Sequence, residues 1–233
     1  MILIKLILAH LLGDFILQPN SWVDAKEKKK LKAWQLYVHA LIHFILICVL
    51  VWQIEFIKWA LLLTLGHFIA DIIKLYFQNK QTKRLWFFID QFLHFVIIIF
   101  VWIWSQSISI IPNIDQEYLF LIITCIYTLT QPVSVLVRII ISRWKPETNS
   151  ITSDSLDNAG NYIGILERLF VFSFVITNNW DAIGFLLAAK SVFRFGDLKE
   201  SKDRKLTEYV LIGTLLSFGI AILTGVIFNA FKP

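Results

Sequence analysis

The sequence predicts an all-α polytopic membrane bundle of about eight spans, and three observations carry that prediction. Hydrophobic residues fill 57% of the 233 positions and charged residues only 17%, with a mean hydropathy of +0.67, outside the range of soluble globular chains. Apolar runs recur at lengths close to the ~20 residues a helix needs to cross hydrocarbon. Basic residues gather in every second connection between those runs.

The runs fall at 2–18, 34–53, 56–77, 85–105, 118–141, 161–177, 180–195 and 207–229. The sixth and seventh are short and joined by TNNWD, so a re-entrant hairpin over 161–195, leaving seven spans, is the alternative. The first connection, NSWVDAKEKKKLKA, holds five lysines, and the third, around KLYFQNKQTKR, holds three lysines and an arginine. Arg138, Arg143 and Lys145 mark the fifth, and six basic residues lie between Lys190 and Lys205 in the seventh. The even connections carry one lysine between them, so the odd ones are expected to be cytoplasmic and both termini outside. This placement gathers eighteen of the 22 basic residues on one side, and explains the formal charge of +5 by a lipid bilayer, with no nucleic acid as partner. The first run lacks a basic leader and a small-residue cleavage site and reads as a retained span, not a removed signal.

Trp22, Trp34, Trp86, Trp104 and Trp180 stand near span ends, as interfacial anchors do. Cys48 and Cys125 lie in mid-span and suggest neither a disulfide framework nor a thiolate metal site. All five histidines precede residue 95, and the polar stretch RWKPETNSITSDSLDNAGN follows later, so the chain reads as a histidine-bearing half, 1–110, and a histidine-free half, 111–233.

The first half carries the chemistry. Span one contains His10 and Asp14, span two His39 and His43, span three His67 and Asp71, and span four Asp90 and His94. Each pair has the i, i+4 spacing that sets two side chains on one helix face, one turn apart. Spans one and three run inward and read His then Asp; span four runs outward and reads Asp then His, so the three aspartates come to one depth. Asp14, His39, Asp71 and Asp90 form a layer near the cytoplasmic end, and His10, His43, His67 and His94 a layer one turn deeper, about 6 Å at ~1.5 Å per residue.

Energetics give the direction these groups face. An aspartate at the centre of a span costs roughly 2.5–3.5 kcal/mol, so three facing lipid would cost on the order of 8–10 kcal/mol. They are expected to face inward and to need cations, and no lysine or arginine within the four spans reads as placed to neutralise all three. A divalent metal meets the need, and histidine with carboxylate and no cysteine suits zinc, with iron or manganese as alternatives. Eight ligands exceed one ion's requirement, so either two ions bind or some residues support the ligands or act as acid and base. Gln18 and Gln91 are the expected supporting groups. The same residues also suit a hydrogen-bonded network that joins helices.

The second half holds Glu167 and Arg168 in NYIGILERLF, Lys190 and Arg194 in AAKSVFRF, and Glu208 at the start of the last span. Arg168, Lys190 and Arg194 are expected to cradle an anionic head group, with Glu167 beside them; snorkelling lysine and arginine around a Glu167 ion pair is the alternative. Gly160 and Gly164 permit close helix approach. Gln131 with Pro132 predicts a kink whose freed backbone groups line a cavity.

The motifs AHLLGDFILQ, VHALIH, GHFIADIIK and DQFLH, followed by AGNYIGILERL, IGFLLAAKSVFRF and EYVLIGTLLS, resemble the bacterial membrane family named as domain of unknown function 3307, over nearly the whole chain. The resemblance implies an integral membrane protein and supplies no activity.

The residues themselves point to an intramembrane metal-dependent hydrolase. Metal held by His10, His39 or His43, His67, Asp71, Asp90 and His94 would acidify a bound water, a spare carboxylate, Asp14 or Asp90, would serve as base, and an anionic lipid or lipid-linked substrate would enter from the inner leaflet. The chain has neither G-x-S-x-G nor H-E-x-x-H. A metal or proton transporter, or a metal- or pH-responsive sensor, are the alternatives.

Overall fold

A computed structural model describes residues 2–105, 114–144, 154–195 and 201–232. Among them the regular structure is entirely helical: α1 (Ile2–Phe15), α2 (Asn20–Lys29), α3 (Trp34–Val51), α4 (Ile57–Phe77), α5 (Lys83–Ser105), α6 (Ile114–Thr128), α7 (Gln131–Ile141), α8 (Asp154–Ile176), α9 (Trp180–Phe195) and α10 (Ser201–Phe231), with short 3₁₀ turns before α3 and α4 and after α7. The chain forms two compact units, Met1–Phe120 and Leu121–Pro233.

Six segments are long and apolar enough to cross a membrane: Trp34–Val51, Ile54–Phe77, Lys83–Ser105, Gln116–Trp144, Ala159–Ile176 and Thr207–Phe231. The chain is a multi-pass membrane protein. Two of the eight expected spans fall short of that test as single helices, although α1 passes it when joined to the bent α2. The 14 residues of α1 and the 16 of α9 reach only ~21 and ~24 Å, against ~30 Å of hydrocarbon. Residues 16–18, expected to continue the first span, form a turn instead, and Pro19 caps α2, which leaves α1 at an angle of 79°. The lysine-rich first connection is therefore itself helical, which its charge pattern did not suggest.

In the first unit α1 packs on α3 and α5, and α4 packs on the same two helices, closing a ring of four. The inward faces repeat every four residues. On α3, His39, His43, Ile47 and Val51 are buried while Leu41, Ile45 and Val49 are exposed. This is the reverse of a soluble amphipathic helix, with polar groups inside and apolar groups outside, as lipid demands. The connection from α4 to α5 is a tight turn in which the Asn79 carbonyl Oδ1 accepts from the backbone N–H of Gln81 at 3.0 Å and of Thr82 at 2.8 Å, starting α5 without leaving donors orphaned. Away from the α2 end the ring closes on apolar packing of Ile2, Leu6, Ala9, Val51, Phe56 and Ala60 among others.

In the second unit α10 lies along α8 and α7, and α9 packs on α8. Gly225 allows the α8–α10 approach, since a Cβ there would sit 2.7 Å from Val175 Cγ1. The kink expected at Gln131–Pro132 is present as a break between α6 and α7. Its freed carbonyls do not line a cavity: the buried Arg168 guanidinium donates to Leu129 O at 2.6 Å and to Thr130 O at 3.1 Å. Gly164 faces Arg168 Nη1, 3.3 Å from where a Cβ would stand, whereas a Cβ at Gly160 would meet nothing within 4 Å. Arg168 belongs to α8 itself, so neither glycine marks the close approach of a second helix.

Candidate metal centre

The ring of four helices brings together all eight histidines and aspartates of the first four expected spans. α1 delivers His10 and Asp14, α3 His39 and His43, α4 His67 and Asp71, and α5 Asp90 and His94, each pair from adjacent turns. The deeper layer is a contact cluster of imidazoles: ring centroids of His43 and His67 lie 3.8 Å apart, of His67 and His94 4.0 Å, and of His10 and His94 5.1 Å. These four histidines line one pocket, whose other walls are Leu6, Ile47, Leu63, Ile97 and Ile98.

Asp14 is the hub of the cluster. Its Oδ1 lies 3.1 Å from His43 Nε2, 3.3 Å from His39 Nε2 and 3.6 Å from His67 Nε2, and the Nε2 atoms of His39 and His67 are 3.1 Å apart. Three residue sets offer ligand atoms that lie within 4.8 Å of one another: His10, Asp14, His43 and His67; His39, His67 and Asp71; Asp14, Asp90 and His94. Gln91 joins the cluster from α5, its Nε2 donating to Asp14 Oδ2 at 3.1 Å and its Oε1 standing 3.3 Å from His10 Nε2. Gln18 falls in the turn after α1, off the helix face that carries Asp14, and no hydrogen bond ties it to the cluster.

No lysine or arginine within the four spans was expected to neutralise all three aspartates, and the structure supplies lysines to two of them, one from outside the spans. Lys26 of α2, only 5% exposed, donates to Asp71 Oδ2 at 2.8 Å, and Lys74 of α4 donates to Asp90 Oδ2 at 2.7 Å. Both contacts depend on tertiary packing. Lys26 reaches inward because the bend at Pro19 folds α2 across the end of the ring, where Lys30 also donates to the Leu75 carbonyl and Lys83 pairs with Glu27 at 2.6 Å. Asp14 alone among the three is left with imidazoles and an amide as neighbours. The unmet need for a cation is therefore confined to Asp14.

Close fit around the cluster depends on Gly13. A Cβ there would lie 2.4 Å from His43 Cε1 and 2.5 Å from His43 Nε2, inside any real contact. Gly13→Ala gains ~1 kcal/mol of helix propensity but must displace a ring that faces Asp14. The expected result is a folded protein that binds Zn²⁺ on the order of 10–100-fold more weakly, the range for disturbed ligand orientation, read by calorimetric titration; unchanged affinity would show that the His43 position is irrelevant to binding.

Of the residues expected to form a cradle, Glu167, Arg168 and Lys190 have described side chains, and these three do not converge on one anion site. Lys190 Nζ pairs with Glu167 Oε2 at 2.6 Å. Arg168, 3% exposed, is engaged elsewhere, adding Ser134 Oγ at 2.6 Å and Ser217 Oγ at 3.1 Å to its two carbonyls. Its donors are committed to the break between α6 and α7, so it is not free to hold an anion. The Arg194 side chain lies outside the described residues.

Fold and site together define an all-helical, multi-pass membrane protein with a buried histidine–aspartate cluster inside a four-helix ring. The chain belongs to the family described as "Protein of unknown function (DUF3307)", whose profile matches residues 2–122. That match takes in every residue of the cluster and stops before the second-half motifs that also carried the resemblance. Comparison with curated proteins and with solved structures gives no match.

Proposed function

We propose that this protein is an intramembrane metal-dependent hydrolase of the bacterial cytoplasmic membrane, acting on an anionic lipid or lipid-linked substrate from the cytoplasmic leaflet. One observation carries the reading: the spacing of the atoms around Asp14. A tetrahedral zinc site with bonds of ~2.0–2.1 Å places its ligand atoms about 3.3 Å apart. Four of the six distances among Asp14 Oδ1 and the Nε2 atoms of His39, His43 and His67 run from 3.1 to 3.6 Å. Asp14, His39, His43 and His67 would hold the ion, which supplies a water acidified toward neutral pH.

The remaining residues supply orientation and shape. Gln91 fixes the Asp14 carboxylate and ties it to His10. His10 and His94 face the pocket beside the ion, while Asp90, expected as a base, has its Oδ2 held by Lys74. Leu6, Ile47, Leu63, Ile97 and Ile98 offer an apolar wall to an acyl or isoprenoid chain. The apolar packing beyond the deep histidines favours hydrolysis over ion carriage, because a carrier needs polar groups through the other half of the ring. The lysines of α2 and of the α4–α5 turn support a cytoplasmic position for the site.

The test uses full-length protein purified in detergent without chelator. Wild type is expected to retain zinc, iron or manganese by elemental analysis and to release product from phosphatidic acid or phosphatidylglycerol in mixed micelles. His67→Ala is expected to lose both. Wild type without metal, or hydrolysis undiminished in His67→Ala, would sink the proposal.

A further inference from the structure

The ion described above uses one oxygen of Asp14. The other, Oδ2, faces Gln91 Nε2 at 3.1 Å and His10 Nδ1 at 3.9 Å, toward the seam between α1 and α5. On that seam Asp14, Asp90 and His94 bring ligand atoms within 4.8 Å of one another. Four atoms there are buried without a hydrogen-bond partner among the described residues: His10 Nδ1, Asp90 Oδ1, His94 Nδ1 and His94 Nε2. Their residues are 3%, 1% and 1% exposed, so lipid and solvent offer them nothing. Lys74 does not relieve the deficit, since it bonds Asp90 Oδ2 and leaves Oδ1 bare. Buried polar atoms are rarely left so, and a cluster of them on facing helices marks a ligand.

We infer that the centre is dinuclear, with Asp14 bridging a first ion on His39, His43 and His67 and a second divalent ion on Asp90, His94 and His10. The inference deepens the hydrolase reading and rests on it. It also fixes the charge of the substrate. Lys26 and Lys74 neutralise Asp71 and Asp90, so Asp14 is the one carboxylate left to balance metal charge. Ligating imidazoles are neutral. One divalent ion with a hydroxide would then make a neutral site, suited to an uncharged ester. Two ions with one hydroxide leave two positive charges in a place where lipid cannot screen them. A phosphate monoester, doubly negative, supplies the missing charge, and paired ions ~3.5–4 Å apart are the arrangement that clamps a phosphoryl group. The substrate class is therefore a phosphomonoester carried on an apolar chain that fits the wall of Leu6, Ile47 and Ile98.

The experiment titrates metal-free, full-length protein in detergent with Mn²⁺ and follows it by electron paramagnetic resonance. Wild type is expected to bind two equivalents with an exchange-coupled signal. Asp90→Asn and His94→Ala are expected to bind one, with an uncoupled six-line signal. Inorganic phosphate and dioleoyl phosphatidic acid in micelles are then added separately, and phosphatidic acid is expected to tighten the second Mn²⁺ by about tenfold, the size of an ordinary linkage. Tightening by both confirms the phosphate group as the ligand; tightening by phosphatidic acid alone confirms it with a required chain. Tightening by neither overturns the substrate class. A single equivalent in wild type overturns the second ion and leaves the hydrolase reading standing, whereas no bound Mn²⁺ in wild type removes both. Wild type decides the stoichiometry even if a variant does not fold.

Discussion

Asp14→Asn is expected to fold and to bind Zn²⁺ at least ~100-fold more weakly than wild type, a loss beyond that of disturbing a supporting group. The amide keeps the shape of the carboxylate and removes its charge. No other position in the cluster carries so much of the site on one group. Oδ1 faces three imidazoles within 3.6 Å, Oδ2 faces Gln91, and no lysine stands by to share the charge. Asp71→Asn and Asp90→Asn are expected to differ in kind. Each strands a lysine, the buried Lys26 or the half-buried Lys74, and so costs stability, on the order of 3–5 kcal/mol for the fully buried Lys26 pair and less for the Lys74 pair. Measuring metal affinity and detergent-phase unfolding on the same three proteins separates the effects: Asp14→Asn should move affinity with little change in unfolding, and Asp71→Asn should move unfolding. Equal losses of affinity in all three, with stability unchanged, would mean that Asp14 has no special place.

The contrast between these aspartates shows how far the sequence could be read. The i, i+4 pairs and their reversal on α5 needed only helix geometry and an assumption of alternating spans, and the four histidines His10, His43, His67 and His94 do line one pocket. Gln91 was legible for the same reason, being the neighbour of Asp90 on an inward face. Lys26 was not. It stands in a run of lysines that reads as a solvated connection, and only the bend at Pro19 turns α2 across the ring and carries one of those lysines to Asp71. Gln18 failed in the opposite sense, because the apolar run continues through Ile16 and Leu17 although the helix stops at Phe15. Local pattern sets which face a residue takes. It does not set which partner a long side chain finds.

Arg168→Met is expected to destabilise the second unit by roughly 1–2 kcal/mol, and here the competing terms have opposite signs. Removing a buried guanidinium recovers the cost of taking that charge out of water, which alone makes apolar replacement of buried charges neutral or favourable. Against this stand the acceptors it leaves behind. The Leu129 carbonyl lies at the break between α6 and α7 and loses its donor, and a buried acceptor without a partner costs ~1–3 kcal/mol, whereas the Thr130 carbonyl keeps the Ser134 N–H at 3.1 Å and the Ser134 hydroxyl at 2.9 Å. In a membrane segment no bulk water replaces the lost donors, so the acceptors win. Ser134 and Ser217 lose a partner as well but can turn their hydroxyls elsewhere. Arg168→Lys is expected to fall between wild type and Arg168→Met, because one ammonium cannot span acceptors that a planar fork reaches together. Unfolding in a graded detergent mixture, followed by tryptophan fluorescence, gives the order. Metal content per folded molecule should stay at the wild-type value in both variants, since every residue of the cluster belongs to the first unit. Wild-type stability in Arg168→Met would mean that the broken span satisfies its own carbonyls.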